Sequence, residues 1–579
     1  MKSPVAQLEE LASRLRPQLQ FLYGARADEC LSDVLRVCSR YDDLSRSQRS
    51  AMWDERDVIL ISYADQVRAD NEHPLSALRA FLHSMNLPRV FRVLHLLPFY
   101  PATSDDGFSV VDYRQVDPGF GGWDDIDELR QQFDLMFDLV LNHASCQSDW
   151  FQQYLRGVEP YTRFFVEADA GVDFSRVVRP RTSPLLTPFE TSRGNRNVWT
   201  TFSADQVDLN YQEPCVLVEM LDVLLDYIGR GARVVRLDAI AFLWKEPGTN
   251  CLHLPQTHQI VKLFRDVVDA LAPGTILLTE TNVPHVENAS YWGNSDESHM
   301  IYNFSLPPLL LDALLTGDGT HLNRWLAQSV APPPGTTLLN FTASHDGIGV
   351  RPLEALVPSE RVEQLVCAVQ ARQGLVSRRA GADGSDIPYE LNITFFDALG
   401  DPRANDGDPL HVQRFIASQA LMLSLRGIPA VYFHSLLGTR NDLEGVQRTG
   451  RPRSINRRKF EVAELKELIS NQSSHKQIWE TYLHLLTVRV NQPEFHPDAD
   501  QEVIPFENQA VVAFLRTRPD LGRALLVVAN VSSQLQTIDL KQCSLKPVGA
   551  ELICGKKLDS PDGIVSLNPY QVVWLPVHR

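Results

Sequence analysis

The sequence predicts an α/β chain built on a closed (β/α)8 TIM barrel, with inserted loop subdomains, an N-terminal helical extension and a C-terminal antiparallel β domain. Eight short apolar runs of strand length alternate with helical segments from Asp57 onward, the pattern of a parallel barrel. Carboxylates and histidines fall at the ends of several of these runs, where barrels carry their chemistry. Two connections are too long for simple crossovers, and runs near the end of the chain alternate with a period of two. At 579 residues the chain exceeds a single core of ordinary size, so more than one domain is expected.

Residues 1–56 read as helical, because Val5, Leu8, Leu11, Leu15, Leu19 and Leu22 recur at three- and four-residue steps. Pro17 is expected to break or kink that helix. The catalytic barrel is expected over residues 57–490, with strands near 58–63, 90–97, 135–141, 232–238, 275–281, 300–305, 336–343 and 428–434. Insertions at about 144–211 and 348–412 have the length of lids or specificity loops, the second holding the Gly-rich stretch RRAGADGSDIPYELN. From 491 to 579, runs such as Val511–Leu515 and Ala524–Val528 predict a small antiparallel sheet.

A formal charge of -17 argues against a nucleic-acid or anionic-membrane binder, so an anionic substrate would need a local cluster of arginines. The start, MKSPVAQLEELASRL, has charges where a signal peptide needs its apolar core. No apolar run reaches the roughly 18 residues of a membrane span. Cys30, Cys38, Cys146, Cys215, Cys251, Cys367, Cys543 and Cys554 are scattered without C-x-x-C spacing. Reduced thiols in a cytoplasm are therefore expected, not disulfides or a zinc site. The acidic residues lack calcium-loop spacing and no phosphate-cradling glycine motif is present, so neither a metal nor a nucleotide cofactor is expected.

The stretch GARVVRLDAIAF organises the chemistry. On a strand, Arg236 and Asp238 point the same way and Leu237 points opposite. A guanidinium beside a carboxylate favours its ionised form, the state a nucleophile needs to attack an anomeric carbon. An isolated R-x-D is more often a structural ion pair. Glu280, however, ends the next predicted strand in LLTETN. Retaining glycosidases need a carboxylate nucleophile and a protonated acid about 5–5.5 Å apart, and neighbouring negative charge keeps the acid protonated. Asp138, Asn142 and His143 close the third strand, while His345 and Asp346 follow the seventh. Paired donors and acceptors of these kinds suit sugar hydroxyls.

In content, spacing and order, DLVLNH, VVRLDAIAF, LLTETN and ASHDG resemble the four sequence regions of the α-amylase superfamily (glycoside hydrolase family 13). The resemblance spans about residues 57–490. The segments LLPFYPATSDDGFSVVDY, VWTTFSADQVDLN, KEPGTNCLHLPQTH and SLPPLLLDALLTG resemble its sucrose phosphorylase branch. The helical extension, TETNVPH and IPYELN are similar to the members of that branch that act on glucosylglycerate. The resemblance implies Asp238 as nucleophile, Glu280 as general acid/base and Asp346 as transition-state stabiliser. It implies glucosyl contacts from Arg236, His143, His345, Asp106 and Arg453, with Phe108 and Phe202 lining the ring. Arg181 and Tyr389 match the phosphate and acceptor loops. Glu390 stands where sucrose phosphorylases usually carry Gln, which disfavours fructose.

The implied function is reversible phosphorolysis of an α-glucoside, with inorganic phosphate as co-substrate and a homodimer as the candidate assembly. Glycerate is the first acceptor expected; glycerol, fructose or fructose phosphate are the alternatives. A carboxylate at Glu390 would repel glycerate unless arginines such as Arg378 or Arg379 intervene. A retaining α-glucosidase or transglucosidase without phosphate dependence is the further alternative.

Overall fold

The structure, a computed structural model, describes residues 4–41, 43–44, 51–169, 171–181, 183–380, 386–403, 408–557 and 563–578. Eight parallel strands close into a barrel: β1 Ile59–Ser62, β2 Val93–Leu96, β3 Asp134–Val140, β4 Ala232–Asp238, β5 Ile276–Thr279, β6 Met300–Tyr302, β7 Thr337–Asn340 and β8 Ile428–Tyr432. Each pairs with its neighbour in chain order, and β8 returns to β1. All eight expected strands form, but several are shorter than their apolar runs. Residues 433–437, for example, leave the sheet as the short helix Phe433–Leu437.

The N-terminal extension forms the helices Pro4–Tyr23 and Ala27–Cys38, which pack against the barrel helices Pro255–Leu271 and Pro214–Gly229 respectively. Leu11, Leu15, Leu19 and Val34 are buried there. The Tyr23 hydroxyl donates to the Tyr211 carbonyl at 3.1 Å, and Arg26 pairs with Glu213 at 2.8 Å. Pro17 does not break the helix, which continues unbroken through it. The lost hydrogen bond is offset by burial of the leucines on either side.

The first insertion contributes the hairpin Leu186–Thr191 and Gly194–Trp199. The second contributes a three-stranded antiparallel sheet in the order Ile348–Gly349, Asp386–Asn392, Leu375–Ala380. Residues 381–385 of the Gly-rich loop lie outside the described residues. Among the described residues no helix is long and apolar enough to cross a membrane.

Alternation in the C-terminal sheet serves two cores at once. Along Val511–Arg518, Val512 and Phe514 join the main core, whereas Val511, Ala513 and Leu515 join a second, outer one. Arg516 locks this sheet to the barrel. Its buried guanidinium donates to the Ser424 and His496 carbonyls at 2.8 Å each. Arg516→Leu removes the buried donor to the Ser424 carbonyl and one of two donors to the His496 carbonyl, and is expected to destabilise the fold by about 2–4 kcal/mol. Equilibrium denaturation checks this, and an unchanged midpoint would refute the anchoring role.

Candidate active site

Strand register brings the carboxylates together. Asp238 ends β4, and Arg236 stands opposite Asp138 of β3. On the other side Thr279 stands opposite Leu237, so Glu280, the next residue, arrives level with Asp238. The buried Arg236 guanidinium donates to Asp238 Oδ1 at 2.7 Å and to Asp138 Oδ1, and lies 3.9 Å from Glu280 Oε2. His95 Nε2 sits 2.6 Å from the other Asp138 oxygen. Ala239 adopts a left-handed φ of 52°, and its N–H donates to Glu280 Oε2 at 3.1 Å. The residue following Asp238 thus orients the second carboxyl.

These groups titrate against one another. Burial raises the Asp238 carboxyl well above the usual range; Arg236 opposes this, while Glu280, Asp138 and Asp346 add to it. The depression expected from Arg236 alone is therefore reversed by desolvation. Burial also raises Glu280, with Asp346 adding to the shift and Arg236 opposing it. Arg236 is in hydrogen-bond contact with Asp238 but more distant from Glu280, so the negative charge is best placed on Asp238 and the shared proton on Glu280. Asp346 behaves oppositely. Burial works against its charge, but Arg453, Arg457, Arg236 and Arg181 together hold its carboxyl below the usual range.

Asp238, Glu280 and Asp346 line one cavity with Phe108, His143, Phe202, Arg236, His345, Arg181, Tyr389 and Arg453. Phe108 stacks on His345, with ring centroids 4.7 Å apart and planes 7° from parallel. His143 Nε2 lies 2.9 Å from the Phe108 carbonyl oxygen. Burial pushes both histidines down, His345 well below its ordinary value with Arg457 and Arg236 contributing. They are neutral hydrogen-bonding groups near pH 7. Arg181 lies over the Tyr389 ring, 5.9 Å from its centroid.

Three expected placements differ. Asp105, not Asp106, lines the cavity; Asp106 is tied instead to Arg457, whose Nε donates to the His345 carbonyl at 2.8 Å. Asp105 and Asp106 are consecutive left-handed residues, and both carboxyls lie near Arg457 Nη1, Asp106 at 2.5 Å and Asp105 at 3.6 Å, but only Asp105 also borders the cavity. Glu390 is buried and outside the cavity lining: Arg453 grips both its oxygens at 2.9 Å, and the Gly347 N–H donates to one of them. It holds Arg453 beside Asp346. Arg378 is exposed, and only Arg379 of that pair reaches the cavity. Asn142 is likewise a support, donating to Asp208 at 3.0 Å.

Sequence reasoning missed His95, Gln206, Asn282, Arg351 and Arg457. His95 carried a signal, a polar residue on the inward face of an apolar strand. Arg457 lies four residues beyond Arg453 in the same RPRSINR stretch. Gln206, Asn282 and Arg351 lie outside the barrel strands, where no periodicity marks inward positions.

The description "Alpha amylase, catalytic domain" matches residues 90–315. A glucosylglycerate phosphorylase of Allomeiothermus silvanus is 44% identical, over 98% of this chain and 99% of its own length. A glucosylglycerate phosphorylase of Escherichia coli is also 44% identical, over 92% and 94%. The solved structure of sucrose 6F-phosphate phosphorylase from Thermoanaerobacter thermosaccharolyticum shares the fold, with a TM-score of 0.72 at 24% identity over 84% of this chain and 95% of that one. The barrel is that of the α-amylase superfamily. Within it, the chain belongs to the sucrose phosphorylase-like branch that includes the glucosylglycerate phosphorylases.

A reaction that needs Asp238 ionised and Glu280 protonated has a bounded pH window. Activity is lost at low pH as Asp238 gains its proton and at high pH as Glu280 loses its own. Glu280→Gln is expected to remove the alkaline limb when the leaving group needs no acid, as with α-glucosyl fluoride. An alkaline fall that persists in this variant would assign that limb to another group.

Proposed function

We propose that this chain is a retaining disaccharide phosphorylase that cleaves 2-O-α-D-glucosylglycerate reversibly to α-D-glucose 1-phosphate and glycerate. One observation carries the reading: the carboxyl cluster around Arg236 in a chain that matches glucosylglycerate phosphorylases over nearly its full length. Glu280 protonates the departing glycerate oxygen while Asp238 attacks C1, and a covalent β-glucosyl-enzyme forms. Ionised Asp346 stabilises positive charge developing on the sugar ring. Phosphate then attacks C1 from the face glycerate left, the C1–Asp238 ester bond breaks to free the carboxylate, Glu280 takes up any proton on the attacking oxygen, and the product keeps the α configuration. His143, His345 and Asp105 face the glucosyl unit, and Arg181 above Tyr389 receives phosphate.

Phosphate is the only co-substrate in this scheme. Among the described residues no group of three or more His, Cys, Asp or Glu side chains is placed to hold a metal ion. A cytoplasmic setting is supported by eight unpaired cysteines.

The direct test is glucose 1-phosphate release, with phosphate present and absent, from glucosylglycerate, glucosylglycerol, sucrose and sucrose 6′-phosphate. Strong phosphate-dependent release from glucosylglycerate is expected. Free glucose forming equally without phosphate would show a hydrolase instead. Asp238→Asn is expected to lower turnover on the order of 10⁴-fold, and intact turnover in that variant would overturn the nucleophile assignment.

A further inference from the structure

We infer, on the phosphorylase reading above, that Arg351 and Arg379 form a carboxylate clamp that selects an anionic acceptor. Six guanidinium groups line the cavity against four carboxyls, in a chain of net charge -17; Asp138, Glu390, Glu287 and Glu354, which pair with four of the six, stand outside the lining. Two of the six are committed to the reaction centre: Arg236 to Asp138 and Asp238, Arg453 to Asp346 and Glu390. Arg181 is near enough to Asp346 for its charge to help depress that carboxyl.

Arg351 and Arg379 are held differently. Arg351 Nη2 lies 3.0 Å from Glu287 Oε2, and Arg379 Nη2 lies 3.4 Å from Glu354 Oε1. In each pair the guanidinium is the deeper partner: the arginine side chains are 18% and 23% exposed, their glutamates 38% and 53%. The charge is therefore anchored from the rim while the arginine faces the cavity. Arg379 Nε is buried without a hydrogen-bond partner, a cost that a ligand acceptor would remove.

The three-stranded sheet of the second insertion sets the spacing. Its central strand carries Tyr389; Arg379 lies on one neighbouring strand, and Arg351 follows the other, where the Val350 N–H donates to the Tyr389 carbonyl at 3.1 Å. Beside them Asn282 also lines the cavity, with Oδ1 buried and unpartnered. Gly349 makes room for it, since a Cβ there would sit 2.4 Å from that oxygen. Asn282 Oδ1 is suited to accept from an acceptor hydroxyl.

Acceptor chemistry separates the two anions. In glucosylglycerate the glycosidic oxygen is on C2, and the carboxylate hangs from the same carbon. Its oxygens reach one bond farther from the anomeric carbon than those of an attacking phosphate. Arginines that bind the carboxylate need not be those that bind phosphate. Glycerol lacks the charge and gains nothing from the clamp. Glu390 offers no repulsion, because Arg453 neutralises it.

The test runs the reaction in the synthetic direction, from α-glucose 1-phosphate to D-glycerate or glycerol, with Arg351→Gln, Arg379→Gln and the charge-conserving Arg351→Lys. Arg378→Gln, an exposed neighbour, is the control. Each Gln variant is expected to lower the glycerate-over-glycerol ratio of kcat/KM roughly 30-fold through the KM for glycerate. Arg351→Lys should restore part of that ratio, and the phosphate KM in phosphorolysis should shift far less. An unchanged ratio, or a phosphate KM rising in parallel, would overturn the clamp. Wild-type enzyme that forms phosphate-dependent product from glucosylglycerate keeps the phosphorylase reading whatever the variants do. Wild-type enzyme that cannot transfer to glycerate removes that acceptor and the clamp together.

Discussion

A single buried guanidinium, that of Arg236, is the group around which the catalytic end of the barrel is arranged. Burying a positive charge costs far more than one ion pair returns unless several partners surround it. Here Asp138 and Asp238 accept from it directly, Glu280 stands one step away, and the rings of Phe108 and Tyr302 lie 5.6 Å from its carbon. His95 secures Asp138 from the far side. Strand register delivers Asp238 and Glu280 to one level and sets Asp138 level with Arg236. The packing that closes the barrel therefore also sets the contacts that make Asp238 and Glu280 unequal.

The same low-dielectric surroundings produce opposite outcomes at neighbouring carboxyls. Asp238 and Glu280 share one nearby arginine and are pushed up by burial. Asp346 feels several guanidinium groups and is held down. The difference is the 3₁₀ segment Pro452–Asn456 and the residue after it, which bring Arg453 and Arg457 beside Asp346. Those arginines are positioned in turn by Glu390 and Asp106, acids that were expected to touch substrate. Two apparent ligands are thus parts of the support that keeps a third carboxyl ionised.

The barrel was legible because strand length, alternation and motif order reinforce one another. Asp238, Glu280 and Asp346 stand at strand ends or soon after them, where period and register make an inward carboxylate recognisable. Asp105 and Asp106 were not separable, because the choice depends on two successive left-handed residues that composition does not reveal. Glu390 was misread for a related reason. Its β-strand position says that it alternates with Tyr389, but only the folded loop shows that Arg453 and Gly347 already occupy its oxygens. Pro17 shows tertiary burial overriding a local helix penalty.

That division follows the architecture. The donor side is built from residues at barrel strand ends, whose geometry is constrained by eight closed ladders. The acceptor side is built largely from the insertions, where Arg181, Arg351, Arg379 and Tyr389 approach from short strands and loops. A barrel strand, buried on both faces, cannot shift by one residue without exchanging the side chains that point into the barrel for those that face the helices. An insertion can exchange one side chain at its tip without such a penalty. On the proposed reaction, a different leaving group would call for a different charge and shape in the acceptor-side wall, with the Arg236 cluster kept. On the proposed function, acceptor identity rests on a few side chains whose placement emerges only when the loops fold over the barrel.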